Sequence, residues 1–240
     1  MGKSVVVIES QERLMVRVVS LMLSEFYAAL HRKNGVDLRL GLQVNCIKYS
    51  GELVELQLEE GYSIESDIIV AGIGALANDG LAMLAGIECD RGIVVDNRCV
   101  TSDKNIVAAG DCTVHYNQFA DGIVRLESVQ NAVDQAKVAA SSMLDGDLVY
   151  TQVPWFWSDQ YDVKLQIAGI SSHYDYHLRV GDPKDNKFSI LYFKNNVLIA
   201  ADSINDPVHH MAVRKLLVKS KVVLRDIEAN LADLISYAKQ

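Results

Sequence analysis

The 240-residue chain has no proline before Pro154, no pair of cysteines at CxxC spacing, and no apolar run approaching the ~18 residues of a membrane span. Each absence removes a class of function. Cys46, Cys89, Cys99 and Cys112 are scattered, so neither a zinc ribbon nor a dithiol redox pair is written locally, and a reduced, cytoplasmic setting is the simplest expectation. Basic residues are short: 23 Lys and Arg stand against 31 Asp and Glu, giving a formal charge of −8 and a pI near 5.2. A chain so charged repels nucleic acid and anionic membranes over its surface as a whole, and neither is expected as a partner. The opening MGKSVVVIES has one lysine and too short an apolar run for a signal peptide. His209 and His210 lack a third ligand at useful spacing and, as neighbours on a helix, point apart, so no metal is expected.

What the sequence does contain is an α/β pattern. The β-branched run Val5 to Ile8, ending in Glu9, predicts a strand buried on both faces of a parallel sheet. Val16, Val19, Leu23, Phe26 and Leu30 recur at spacings of three and four and predict a helix reaching about Lys33, closed by Asn34-Gly35. Asp37 to Leu42, Val44 to Tyr49, Leu53 to Leu58 and Tyr62 to Ile64 are short strand candidates, and Asp67 to Ala71 reads as another buried strand running into Gly72-Ile73-Gly74. Then come Gly92 to Asp96, the small-residue run Ile106 to Ala109 and Val124 to Leu126. Val129, Ala132, Val133, Ala136, Ala140 and Met143 predict a helix whose narrow, alanine-rich face packs on a sheet.

Composition changes near residue 150, where Tyr150, Trp155, Phe156, Trp157 and Tyr161 crowd together beside Pro154. Beyond it, Leu165 to Ala168, Phe188 to Phe193 and Val197 to Ala201 suit an antiparallel sheet, with helices over Val208 to Val218 and Leu224 to Ala238. The expected fold is therefore α/β, an incomplete Rossmann-like dinucleotide-binding lobe followed by a smaller α+β domain. The expected divisions are 1–95, 96–150 and 151–240.

Gly110-Asp111 follows the small-residue run. At the carboxyl end of a parallel strand, glycine lets the main chain approach a ligand while the acid accepts hydrogen bonds from hydroxyls; taken as a bare pair, an Asp capping a turn is the commoner reading. Ser128 stands at a helix start, where free N–H groups favour negative charge, although an ordinary capped helix has the same signature. The Trp155 to Trp157 cluster reads as core or as a ring-packing surface. Glu9 ends a first strand, as an exposed acid or as a receiver of ribose hydroxyls.

Thr101, six residues, then Ala108-Ala109-Gly110-Asp111 resembles the FAD-binding signature of flavoprotein reductases with two dinucleotide-binding domains. The stretches RLESVQNA (125–132), VPWFWSDQY (153–161) and LQIAG (165–169) resemble the ferredoxin, rubredoxin and putidaredoxin reductase branch of the pyridine nucleotide-disulfide oxidoreductase-like flavoproteins. The resemblance implies electron transfer from NADH through FAD to a small iron–sulfur protein. It implies that Gly110 and Asp111 meet the ribityl and phosphate region of FAD. Ser128, Val129 and Gln130 would present a helix start to the ring, and Trp155, with Trp157 as second choice, would pack beside it. Glu9, flanked by Ser10 and Arg17, would take the adenosine ribose of NAD, and Gly72 and Gly74 would admit the nicotinamide dinucleotide. In that last segment the family's usual proline before Asn78 is Ala77 here.

The chain departs from the family at its front. A full-length member carries two glycine-rich turns ahead of residues resembling Val5 to Glu9, and these 240 residues have neither, so the start reads as truncated and both the FAD and NAD sites as incomplete. No catalytic residue is assigned, and without a CxxC pair the disulfide-reductase chemistry of the wider superfamily is not expected. Three readings follow: a reductase whose N-terminal half is a separate chain, a noncatalytic remnant acting as an interaction or dimerisation module, and a weak NAD sensor. A homo-oligomer is a further expectation, and Arg214, Lys215, Lys219, Lys221 and Arg225 form a basic patch suited to an acidic ferredoxin.

Overall fold

The computed structural model describes residues 2–51, 53–219 and 221–239. The chain divides into two compact units, one running to Gly74 and one starting at Ala75.

The first unit opens with a parallel β-α-β unit. Strand β1 (Val6–Glu9) pairs with β2 (Asp37–Leu40) in the register Val6↔Asp37 to Glu9↔Leu40, joined by helix α1 (Leu21–Lys33). A meander of β3 (Val44–Ser50), β4 (Leu53–Leu58) and β5 (Ser63–Ser66) follows. Helix α1 buries Leu23 and Leu30 of the predicted stripe together with Tyr27 and Ala28, while Phe26 is half-buried and meets Tyr27 edge to face.

Helix α1 starts later than the periodicity predicts. Residues 11–19 form turns organised by Arg13, whose guanidinium donates to the carbonyls of Val16 and Val19 and to Ser24 Oγ, the last at 2.6 Å. A side chain that satisfies main-chain carbonyls lets this segment leave the helix without stranding them. Strand β1 is also less buried than expected, with Val6 exposed and its neighbours half-buried. Its sheet has two strands, so β1 is paired along one edge only among the described residues. Asp67 to Ala71 forms no strand. No described strand lies alongside to hydrogen-bond it, and Ile68 and Val70 are 79% and 91% exposed.

The second unit contains helix α2 (Gly80–Leu84), then strands β6 (Ile93–Val94), β7 (Thr113–Asn117) and β8 (Gly122–Val124) in one sheet, β6 parallel and β8 antiparallel to β7. The run Ile106 to Ala109 is not a strand. It makes one isolated bridge, Val107 to Val100, because its last residues turn away at Gly110 to bond helix α3 (Val129–Met143).

Helix α3 has the predicted bounds but the opposite orientation. Gln130, Asn131, Gln135, Val138 and Ala139 face inward, whereas Val129, Val133 and Met143 of the predicted stripe are exposed. The buried amides find partners outside the helix, Gln135 with Gly110 and Thr113, Gln130 with the Trp155 N–H and Asn131 with the Leu126 carbonyl, an outcome that apolar spacing does not register.

The remaining residues form the α+β part expected. Strands β9 (Trp155–Gln160), β10 (Val163–Gly169), β11 (Tyr176–Asp182), β12 (Lys187–Lys194) and β13 (Val197–Ile204) make an antiparallel sheet in the order β11-β12-β13-β10-β9. Helix α4 (Pro207–Val218) packs on β10 and β13, while α5 (Leu224–Ala229) and α6 (Leu234–Lys239) replace the single predicted helix, which breaks at Asn230. Leu191, Phe193 and Ala201 of the sheet meet Val213, Leu216, Ile227 and Leu234 of the helices in the core. Gly169 closes β10 at φ +76, where a Cβ would collide with the Ile199 carbonyl, so the position admits only glycine.

Candidate functional site

The predicted site residues fall into two groups, one in each unit. In the first unit, Glu9 ends β1 and its Oε1 accepts the Gln11 N–H at 2.9 Å and the Ser10 hydroxyl at 3.3 Å. The strand-end acid is thereby oriented by the turn that follows it, with Oε2 outside both bonds. Ser10 and Arg17 are exposed. Gly72 and Gly74 lie in the extended stretch before Ala75, Gly74 at φ +102, beside an Ile73 that is 95% exposed. These five residues keep their chemistry accessible, and none of them is consumed by the core.

The second unit gathers the other residues more tightly. Gly110 sits at φ +88, a left-handed conformation that strains any side chain, while a Cβ there would only touch Ala132 at 3.6 Å. The backbone, and not space, requires glycine. Its N–H is received by Gln135 Oε1 at 2.8 Å, and its carbonyl receives the Thr113 N–H and hydroxyl at 3.0 and 2.8 Å. Asp111 then projects outward, exposed, and its carboxylate accepts no hydrogen bond among the described residues. A fixed loop carrying an unpaired acid can receive hydroxyls at little reorganisation cost.

Ser128 caps α3 as predicted, its Oγ accepting the Asn131 N–H at 3.1 Å. That bond leaves the N–H groups of Val129 and Gln130 at the positive end of a 15-residue helix with no acid in the first turn. Gln130 is buried and works in both directions: its Nε2 donates to Asp134 at 2.6 Å, and its Oε1 accepts the main-chain N–H of Trp155 at 3.1 Å. Trp155 stacks on Trp157 at 5.5 Å and carries the Arg214 guanidinium over its ring at 4.6 Å. Polar helix start and indole pair are therefore one assembly.

Three participants escaped sequence reasoning. Arg214 was assigned to a docking patch but lies half-buried over Trp155, held by cation–π attraction. His210 packs edge-on to Trp155 and is pushed down to about 4, first by burial and then by the Arg214 charge, so it is neutral near pH 7. Gln135 organises Gly110. A polar residue recurring four positions after Asn131 was the available signal, though surface helices show it as often. His209 and His210 diverge: His209 Nδ1 meets Asp206 at 2.6 Å, whereas His210 turns inward. Between α3 and α4 an open cleft is lined by Gln130, Asp134, Val153, Met211, Arg214 and Lys215. Among the described residues no helix is long and apolar enough to cross a membrane.

Set against known proteins, residues 1–136 match the family described as pyridine nucleotide-disulphide oxidoreductase, and residues 155–235 match the reductase C-terminal family. The chain is 41% identical over 217 residues to the rhodocoxin reductase of Rhodococcus erythropolis, covering 90% of this chain and 51% of that one. It superimposes on the ferredoxin reductase of the CYP199A2 system from Rhodopseudomonas palustris with a TM-score of 0.92 and 34% identity, over 99% of this chain and 59% of the other. The reductase in the covalent putidaredoxin reductase–putidaredoxin complex gives a TM-score of 0.89 at 34% identity, over 98% and 58%. The chain spans about half the length of the curated relatives it matches.

Proposed function

The chain belongs to the pyridine nucleotide-disulphide oxidoreductase family, and on that footing we propose that it takes part in passing electrons from NADH through FAD to a small ferredoxin-like iron–sulfur protein. The observation that carries the reading is the bond between Gln130 and Trp155, which brings a capped, acid-free helix start and a stacked indole pair together. The groups present fit a flavin. An exposed carboxylate suits a polyhydroxyl chain, free N–H groups at a helix start suit an electron-rich ring edge, and an indole pair suits its face. FAD, when bound, takes a hydride from NADH and releases its electrons singly.

The residues of this chain set the conditions for that chemistry. Asp111 would accept hydrogen bonds from the cofactor's hydroxyls and so fix its register. The α3 start, through the N–H groups of Val129 and Gln130, favours negative charge on the ring. Trp155 and Trp157 exclude water from one side, and Arg214 adds a positive charge behind the indole. Glu9, oriented by Ser10 and Gln11, receives ribose hydroxyls and repels a 2′-phosphate, which selects NADH. Gly72 and Gly74 leave room for the dinucleotide, with Ser10 and Arg17 beside the ribose. The pyrophosphates need glycine-rich turns in addition, whatever polypeptide supplies them.

The test is flavin retention. The chain alone should release FAD on gel filtration, yet quench flavin fluorescence when FAD is in excess, and Ser128→Ala should weaken that quenching. Co-expression with the N-terminal half of a related reductase should give tight binding and NADH-dependent reduction of a ferredoxin. A second reading, an interaction module without turnover, is favoured by the exposed apolar stripe of α3, with Val129 64% and Met143 72% exposed. Co-expression that yields a stable complex without flavin supports that second reading.

A further inference from the structure

We propose that Gln135 is a positioning residue, locking the loop that aims Asp111 onto helix α3 and so setting the acid in register with the helix start; this rests on reading that region as a flavin cradle. Gln135 is 1% exposed and lies two turns along α3 from the Ser128 cap. Its Oε1 receives the Gly110 N–H at 2.8 Å, the Thr113 hydroxyl at 2.9 Å and the Asn131 amide at 3.3 Å. Its Nε2 lies 3.2 Å from His115 Nδ1.

A chain of deductions follows from the first of these bonds. A main-chain N–H can only donate, so the atom facing Gly110 must be the amide oxygen, and the NH2 end must face His115. Burial lowers the His115 pKa and keeps the ring neutral, so Nδ1 accepts and the ring proton sits on Nε2. One side chain thus fixes an amide orientation, a histidine tautomer and the peptide plane before Gly110. Thr113 holds the next plane: its N–H donates to the Gly110 carbonyl at 3.0 Å, and its hydroxyl, with one proton, lies between that carbonyl and Gln135 Oε1 at 2.8 and 2.9 Å. Asp111 follows directly, so its direction is determined by two peptide planes whose hydrogen bonds meet at Gln135. Simple packing does not need this amide, since Val138 and Ala139 already fill the same buried face of α3.

The experiment compares the full chain with Gln135→Met, Gln135→Glu and, as a packing control, Val138→Ala. Two quantities are read: the Kd for added FAD by fluorescence quenching, and the Gly110 amide exchange rate with the His115 ring 15N shifts. Gln135→Met fills the same space without an acceptor; it should raise Kd about tenfold, speed Gly110 exchange and mix the His115 tautomers. Gln135→Glu keeps the acceptor for Gly110 and should restore slow exchange there, while moving the His115 proton toward Nδ1. Val138→Ala should lower Tm and leave Kd within about twofold. Equal loss of FAD affinity in Gln135→Met and Val138→Ala, or unchanged Gly110 exchange in Gln135→Met, overturns the proposal. If the unsubstituted chain binds no FAD at any concentration, the flavin reading fails separately, and Gly110 exchange in Gln135→Met still decides whether this side chain aims the loop.

Discussion

Trp155 donates its main-chain N–H to Gln130 Oε1 at 3.1 Å, which ties the first strand of the five-stranded sheet to the first turn of α3. The same amide donates to Asp134 one turn further along α3, so one buried side chain bonds both within α3 and across to β9. Gln130→Leu removes the acceptor of the partly buried Trp155 N–H. The expected loss is about 1–3 kcal/mol of stability, the usual cost of an unmet buried donor. Thermal unfolding measures it, and tryptophan emission should shift to the red as Trp155 and Trp157 gain access to solvent. An unchanged Tm together with unchanged emission would show the tether to be dispensable.

A pH dependence is built into the central strand β13. Asp202 is completely buried and accepts the Tyr192 hydroxyl at 2.6 Å, while its other oxygen has no partner. Burial raises its pKa to about 7, against the partial opposing effect of the Tyr192 hydrogen bond. Since the folded value lies above that of an unfolded Asp near ~3.9, the native state holds the proton more tightly. Its contribution to stability is complete below pH ~4 and is lost as pH rises to about 7, with no further loss above. Asp202→Asn should therefore flatten the Tm profile between about pH 4 and 7, the span between the unfolded and folded values. Calorimetry of both proteins provides the comparison, and parallel profiles would place the ionisation elsewhere.

Glu9 is the residue expected to set the nucleotide preference. In a reconstituted enzyme NADH should be favoured over NADPH, because Glu9, oriented by Gln11 N–H and Ser10, would present like charge to a 2′-phosphate. Glu9→Ala should narrow the ratio of kcat/KM for the two cofactors by about tenfold, equivalent to ~1.4 kcal/mol. A ratio that does not move removes Glu9 from the ribose site.

Much of this architecture was legible because it follows from periodicity. Strands β10, β12 and β13 and helix α3 fall where alternation and three-four spacing put them, and Ser128 caps where its chemistry suggests. What was not legible depends on partners distant in sequence. The inward face of α3 is polar because Gly110, Thr113 and Trp155 bring it hydrogen bonds, and no local pattern encodes those. Likewise, Val16 fits the α1 stripe but lies outside the helix, since Arg13 reorganises the turns before it. Asp67 to Ala71 has strand composition and lacks a described neighbour strand to pair with. Arg214 has the sequence context of a surface charge, and only the fold places Trp155 beneath it.

Docking of an acidic iron–sulfur protein should use the cations that remain exposed once Arg214 is withdrawn. Lys215, Lys219, Lys221 and Arg225 are exposed, and Lys215 also lines the cleft beside Gln130. Lys215→Glu with Lys219→Glu should slow ferredoxin reduction in the reconstituted enzyme several-fold at low salt. The difference should shrink at high salt, because screening acts on encounter and not on the chemistry. Equal rates at low salt would discard the patch.

The last expectation concerns the free edge of β1. Its register with β2 uses one set of backbone groups, and along the other edge Val6 to Glu9 meet no strand among the described residues. Val5 and Val6 are 45% and 37% exposed there, so an apolar ribbon accompanies unpaired donors and acceptors. Helix α1 follows β1 in the β-α-β unit, but a helix cannot satisfy the in-plane hydrogen bonds of a strand. Edges of this kind recruit another strand. The chain by itself should therefore self-associate in sedimentation, and an N-terminal fragment of a related reductase should suppress that association and raise soluble yield. Val6→Lys puts a charge on the edge and should favour the monomer without altering helix content in circular dichroism. A cooperative, monomeric chain with no dependence on concentration would mean that β1 needs no partner along its free edge.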